Sequence, residues 1–556
     1  MSIEQFRTIL FVASASLLFL MWRAWQLDHA PQPATQQTTA AAARGVPASP
    51  PAAAGEQPTE VPPLPEGENR AGPVAAGAEA TVSANLVHVR TDVLAAEIDP
   101  KGGTIVRVKL LHYPVKIDTP DQPFPLLDAG AVTRFVAQTG LIGKQPAPSH
   151  HALFKAKTRD YTLKPGQDEL TVALEWADPA GVRVTKSYKF RRNSYVIDVD
   201  QTVENHLSKA WTGRMYAQFQ RTDVTPKSSF VRRNYSFTGA VISSAEKPYE
   251  KLSFADMKKQ NLARTVTGGW IGFIQHYFAA AWVPIQAGKN HIYSKALGNG
   301  LYALGTISPP LTVAPGKSGR LEAKLYAGPK IQRRLKALAP HLERTVDYGW
   351  LWFIAEPLFW LLQKIHAVVG NWGWAIILLT CLIKLVFFHL SATSYKSMAR
   401  MRKLQPRIVA LREHYSGDKQ RMNQAMMQLY KKEKINPLGG CLPIAVQIPV
   451  FIALYWTLLE SVELRQAPFI FWIHDLSVND PYFVLPIIMG ATMFFQQRLN
   501  PAPPDPLQAK VMMALPIVFT FFFLFFPAGL VLYWIVNNVL SIAQQWVITR
   551  KIVGTA

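Results

Sequence analysis

Lys384 is the one formal charge in the apolar stretch WGWAIILLTCLIKLVFFHL, Trp372–Leu390. A helix rises about 1.5 Å per residue and the hydrocarbon core of a bilayer is roughly 30 Å thick, so about 20 apolar residues span it. A charge inside such a span costs roughly 2.5–3.5 kcal/mol on insertion scales and is read by default as functional. Two readings compete. In one, Lys384 snorkels, since Leu390 lies only about 9 Å further along the helix and the lysine stem stretches toward the headgroups. In the other, Lys384 stands among polar residues of neighbouring spans. Thr380 shares its face one turn away, Gln447 sits near the middle of the next apolar stretch, and Asn537 and Asn538 follow Tyr533 and Trp534 in the last one. Polar side chains in lipid-embedded helices seek one another or a water-filled cavity. If they converge, the bundle encloses a hydrophilic pocket with one positive charge. If they do not, they make ordinary interhelical hydrogen bonds.

The residue types also exclude chemistry. No intramembrane carboxylate accompanies Lys384 and no inverted repeat is visible, which argues against a proton- or sodium-coupled transporter. The sequence has no G-x-S-x-G, H-E-x-x-H or Walker-type Gly-rich loop, which argues against a hydrolase and against nucleotide-driven work. Cys381 and Cys441 both fall in or beside apolar spans, so no disulfide framework and no Cys/His metal spacing is present. Neither an enzymatic activity nor a cofactor or metal is expected.

The elements that must position these residues follow from the distribution of apolar sequence. At 556 residues the chain exceeds one domain. Long apolar runs fill the segment after residue 350 and one short piece at the start, while the middle reads as soluble sequence. Residues 1–27 carry an apolar run between Arg7 and Arg23 with no small-residue cleavage site, the pattern of an uncleaved signal anchor. Residues 28–80, rich in Pro, Ala, Gly, Thr and Gln, form a disordered tether. From 81 to 338 the apolar period is two, broken by Gly, Pro, Asn and Asp turns, which indicates a large antiparallel β-sandwich. Within it, Trp270, Phe273, Tyr277, Phe278 and Trp282 read as sandwich core ahead of a carbohydrate or peptide platform. Residues 347–370 mix Trp and Phe with Glu356, Lys364 and His366, as suits an amphipathic helix in the membrane interface.

Charge sets the topology. The net charge of +22 suggests anionic lipid or nucleic acid as a partner, but much of it is placed where it orients spans. After the span 372–390, the loop 391–438 carries Lys396, Arg400, Arg402, Lys403, Arg407, Arg412, Lys419, Arg421, Lys431, Lys432 and Lys434 against Glu413, Asp418 and Glu433. So basic a loop stays cytoplasmic. Helical spacing on both sides of Ser416–Asp418 makes it a hairpin. Its Met398, Met401, Met422, Met426 and Met427 either offer an adaptable surface to apolar partners or close the hairpin on itself. Four further spans follow within 439–551. The loop 460–481 between the first two is acidic and external, and Arg498, Lys510, Arg550 and Lys551 mark the inner ends. Six spans result. Both termini are then cytoplasmic and the β-domain is periplasmic, in the inner membrane of a bacterium with two membranes.

NPLGGCLPIAVQIPVFIALYWTLLESVELRQAPFIFWIHDLSVNDPYFVLPIIMGATMFFQQ (Asn436–Gln497) resembles the YidC-type membrane protein insertases of Gram-negative bacteria. YGWLWFIAEPLFWLLQKIHAVVGNWGWAI (Tyr348–Ile376), SYKSMARMRKLQPRI (Ser394–Ile408), FPAGLVLYWIVNN (Phe526–Asn538) and, in the β-domain, GGWIGFIQHYFAAAWVP carry the same resemblance. It implies a five-span core with a hydrophilic groove open to the cytoplasm and the lipid and closed to the outside. The family's groove charge is usually arginine and falls by position on Lys384, which keeps the charge and loses the bidentate fork. A threonine and a tyrosine among the family's substrate contacts fall on Thr380 and Trp534, the second match being aromatic only. The implied function is insertion and folding of nascent inner-membrane proteins, alone or with the Sec translocon. Lys384, Thr380, Gln447, Tyr533, Trp534, Asn537 and Asn538 would line the groove. On the hairpin, Met398, Arg402, Lys403, Arg407, Met426, Met427, Lys431 and Lys432 would recruit the ribosome or targeting factors, or meet lipid headgroups. A chaperone that folds spans inserted by others is the neighbouring reading.

Overall fold

The computed structural model describes residues 85–130, 133–224, 236–415, 417–433, 442–500 and 506–553. The expected signal anchor at 1–27 and tether at 28–80 lie outside these, as do Ser416, Lys434 and Cys441.

Alternation builds the first half. In the strand Val182–Arg191, Val182, Val184, Tyr188 and Phe190 point inward. That strand pairs antiparallel with Val196–Asn205, so Tyr188 meets Val199 and Phe190 meets Ile197. Among the described residues, repetition of this pattern gives an eleven-stranded and a nine-stranded sheet, antiparallel except where Val87–Arg90 runs parallel to Asp160–Thr162. Trp211, Trp270, Phe273, Phe278 and Trp282 fill the space between the sheets, so the aromatics of 270–282 are core. The inward row of Val182–Arg191 also contains Lys186. Its Nζ donates to the carbonyls of Gly102 (2.6 Å) and Thr139 (2.8 Å) with the residue fully buried, and burial pushes its ammonium down to about 7. Two short helices, α1 (Phe254–Lys259) and α2 (Gln332–Leu338), belong to this half.

Single-turn helices lead from α2 into α3 (Trp352–Val369). α3 buries Ala355, Phe359 and Leu362 and exposes Trp352, Phe353 and Trp360, the division expected of an amphipathic helix. Leu335, Leu342, Leu351 and Ala355 join the β-domain core, together with Ala453 and Val462 from beyond it. Sandwich and helices therefore share one apolar interior.

Among the described residues, seven α-helices follow. They are α4 (Trp372–Val386), α5 (Phe388–His414), α6 (Lys419–Lys432), α7 (Leu442–Glu460), α8 (Val484–Leu499), α9 (Pro506–Phe523) and α10 (Ala528–Val553). α10 is central and packs on α4, α5 and α8, α9 packs on α8, and α3 packs on α4 and α7. The stretch read as one span over 372–390 is broken. Phe387 leaves helical geometry (φ −90°, ψ 10°) and α5 departs at 67° from α4. The Gln544 amide donates to the Phe388 carbonyl (3.1 Å) and fixes the corner. Among the described residues, Ala528–Lys551 is the one continuous helix long and apolar enough to cross a bilayer. The bent α4–α5 pair passes the same test together, and Val446–Glu460 and Lys510–Phe523 are shorter apolar helices.

Candidate functional site

Where the helices α5, α7, α8, α9 and α10 meet, they leave a cavity of about 310 Å³. α10 supplies Tyr533, Trp534, Asn537, Asn538 and Ser541, which recur at the three-to-four spacing of one helix face. α7 adds Gln447, Ile448 and Phe451, and α5 adds Ser391, Ser394, Tyr395 and Met398. α8 gives Met493, Gln496 and Gln497, Asn500 follows its end, and α9 gives Met512, Leu515 and Phe519. Five of the seven groove candidates thus converge on one space: Gln447, Tyr533, Trp534, Asn537 and Asn538.

Their polar groups are tied into the bundle. The Gln447 amide donates to Asn537 Oδ1. Asn538 Nδ2 donates to Thr492 Oγ1 (3.1 Å), and Gln545 Nε2 to Asn500 Oδ1 (2.9 Å), so the polar row of α10 is tied to the second half of α8 and the residue that follows it. Among the described residues, Tyr533 Oη and Trp534 Nε1 are buried without a hydrogen-bond partner of good geometry. Phe451 packs edge-on against Trp534, with ring centroids 4.6 Å apart.

Lys384 reaches the cavity wall from behind. Its Nζ donates to Ser541 Oγ (2.7 Å), and that hydroxyl donates to the Asn537 carbonyl (2.7 Å). Lys384 shares a small adjoining recess with Ser391 and Gln447, both of which also line the main cavity. Thr380 does not take part. It is 1% exposed and its hydroxyl donates to the Ile376 carbonyl of its own helix (2.7 Å). One turn of shared face was the right geometry. A lysine is long enough to use it, whereas a threonine hydroxyl closes back on the backbone.

The hairpin candidates divide. Arg402, Lys403, Lys431 and Lys432 are exposed, and Arg407 is exposed while paired with Glu433 (2.8 Å). Met426 is buried in the seam between α5 and α6 with Leu404, Ile408 and Tyr430, and Met427 packs against that seam. Met426 closes the hairpin on itself, and Met427 is half-buried against the same seam. Met398 lies a full turn nearer the bundle and lines the cavity. Ser541, Ser391 and Asn500 are members of the polar wall that sequence reasoning missed, as is Gln545, which holds Asn500 from behind. Continuing the Asn537–Asn538 row by three and four residues finds Ser541 and Gln545.

Among the described residues, no group of three His, Cys, Asp or Glu side chains stands close enough to hold a metal ion.

Two family models match the chain. The model described as "YidC periplasmic domain" matches residues 86–361, and "60Kd inner membrane protein" matches residues 364–555. A protein of Nitrosococcus oceani named "Membrane protein insertase YidC" is 51% identical over 554 residues, 99% of each chain. One of the same name from Thioalkalivibrio sulfidiphilus is 52% identical over 563 residues, again 99% of each. A crystal structure described as an active YidC insertase with its first transmembrane domain resolved aligns at 17% identity and TM-score 0.38, covering 83% of this chain and 92% of that one.

Proposed function

The chain belongs to the YidC family of membrane protein insertases, and from that premise we propose that the cavity is where a nascent chain passes on its way into the bilayer. The family makes the protein an inner-membrane insertase, not an enzyme, with its β-domain in the periplasm. The observation that carries the further reading is the wall of Gln447, Asn537, Asn538 and Ser541 beside the Lys384 ammonium. Peptide groups and charges dragged bare through hydrocarbon cost several kcal/mol each. A short polar flank of the substrate lies instead against these amides and hydroxyls, and Lys384 attracts its acidic residues. The apolar segment then moves sideways into lipid, driven by its own transfer from water.

Six spans with both termini cytoplasmic accord with the basic residues at alternate loops. The exposed Arg402, Lys403, Lys431 and Lys432 of the α5–α6 hairpin suit ribosomal RNA, a targeting factor or anionic headgroups. Cooperation with the Sec translocon belongs to the same reading. Site-specific photocrosslinking from Gln447 and Trp534 to ribosome-stalled single-span chains tests it. Crosslinks at short chain lengths that fade as the span reaches lipid are expected. Crosslinks confined to the outer faces of the bundle would make the polar wall structural and leave a folding chaperone in its place.

A further inference from the structure

The cavity has two chemically different sides. α7 and α10 face it with the amides and hydroxyls of Gln447, Asn537, Asn538 and Ser541 beside the apolar Ile448, Phe451 and Trp534, and α8 adds the amides of Gln496 and Gln497. α9 gives it only Met512, Leu515 and Phe519, at the i, i+3, i+7 spacing of one helix face, and Met398 of α5 and Met493 of α8 add to the apolar part. Three methionines from three helices therefore converge on one space. Their environment differs from that of the packing methionines. Met489, one turn before Met493 on α8, is fully buried in the bundle core, and Met426 is buried in the hairpin seam. Met398, Met493 and Met512 are each only half-buried.

A half-buried methionine keeps rotamer freedom that a core methionine has lost. Its unbranched thioether chain adapts to branched, straight or aromatic neighbours with little strain, which is why methionine recurs at surfaces that take varied partners. The cavity volume of about 310 Å³ suits a few side chains. A whole helix, about 10–12 Å across, would lie alongside and insert only one face. The occupant therefore meets polar groups toward α7, α8 and α10 and a wholly apolar face on α9.

We infer that Met398, Met493 and Met512 set the substrate breadth of the insertase: they form a deformable wall that accepts the apolar side chains of an entering span, whatever their shape. This rests on the groove reading above. The amides across the cavity read the backbone and polar flank, which all substrates share, and the methionines absorb what differs between them.

The test is a panel of single-span substrates with one common polar flank and spans rich in Leu, in Phe or in Val and Ala, inserted by the full-length protein in proteoliposomes. The variants are the triple Met398→Ile/Met493→Ile/Met512→Ile and the triple Met→Leu at the same positions. Isoleucine holds essentially one χ1 rotamer in a helix, so the wall stiffens. Wild type is expected to insert the panel evenly. The isoleucine variant should separate its best and worst substrates by about threefold or more, the factor matching one off-rotamer adjustment. The leucine variant, which conserves volume, should fall between. If the triple isoleucine protein fails to accumulate, the single variants Met493→Ile and Met512→Ile carry the comparison. Even insertion of the panel by stiffened variants overturns the inference. Photocrosslinking from Gln447 in the wild type separates this from failure of the groove itself: retained crosslinks with even insertion sink only the methionine role, and absent crosslinks sink both.

Discussion

Lys330 Nζ lies 2.9 Å from Glu460 Oε2, and the two side chains are only 1% and 3% exposed. Lys330 follows the strand Ser318–Pro329 of the β-domain, and Glu460 ends α7, whose Gln447 lines the cavity about 20 Å further along the helix. The joint around them is dense. The imidazole of His276 donates from Nε2 to the Leu459 carbonyl (2.9 Å), and Arg465 donates to the Pro114 carbonyl (2.6 Å). Burial holds His276 below the usual histidine range, with Lys330 pushing it the same way and Glu460 opposing. Burying two charges costs several kcal/mol per ion, which a well-formed pair repays only in part. Such a pair fixes register more than it stabilises.

Removing one partner is therefore worse than removing both. Lys330→Met strands a buried carboxylate and is expected to cost about 3–5 kcal/mol, while Lys330→Met with Glu460→Leu should recover most of it. Thermal unfolding of the full-length protein in nanodiscs measures both. A double variant as unstable as the single one would show that the pair holds the joint by attraction alone.

Three residues past Glu460, Glu463 links the loop after α7 to α3. The Gln363 amide donates to its carboxylate over 3.3 Å, and burial pushes the Glu463 carboxyl from the ordinary 4.5 up to about 7. The folded protein keeps this proton where the unfolded chain has released it. Stability therefore falls as pH rises from about 4.5 to about 7. Glu463→Gln removes that titration and should flatten Tm against pH across this window. Parallel curves for wild type and variant would mean that the carboxylate is solvated in the folded protein.

Much of this was legible because it obeys a period. Alternation in Val182–Arg191 and Tyr195–Asn205 gave the sandwich, and the aromatics at 270–282 fell in its core as their spacing implied. Gln447, Asn537 and Asn538 stood out as polar interruptions in apolar helices. Ser541 and Gln545 did not, because polar residues near a basic helix end resemble a solvated edge. The 67° break after Val386 had no Pro or Gly to announce it. It comes from tertiary contacts, with Lys384 tied to Ser541 and Phe388 to Gln544. The division among the methionines was equally hidden, since only packing tells a seam residue such as Met426 from a cavity residue such as Met398.

Gly490 lets α8 and α9 approach. A Cβ placed there would lie 2.0 Å from Thr520 Oγ1, whose hydroxyl donates to the Pro516 carbonyl (2.7 Å). Small residues at such contacts permit close helix packing in membranes. Gly490→Leu should push α9 off α8, cost about 1–3 kcal/mol and widen the cavity on its apolar side. Cysteine accessibility at Met512→Cys, compared with and without Gly490→Leu, reads the widening. Unchanged accessibility together with unchanged Tm would mean that α9 already moves freely.

The Lys384 ammonium spends one of its three donors on Ser541, leaving charge and two donors for a substrate. In a water-filled groove, two charges about 4 Å apart attract by about 1 kcal/mol, or roughly fivefold in an equilibrium. Lys384→Ala should therefore reduce insertion of chains with acidic flanks about fivefold relative to chains with neutral flanks. Lys384→Arg should retain the preference, because charge and not fork geometry carries it at a lysine site. Ser541→Ala separates the charge from its tether: the preference should survive while the thermal stability drops. Equal insertion of acidic and neutral flanks by wild type and Lys384→Ala alike would leave Lys384 as a structural cation that holds α4 against α10, and the attraction of substrate acids would have to be abandoned.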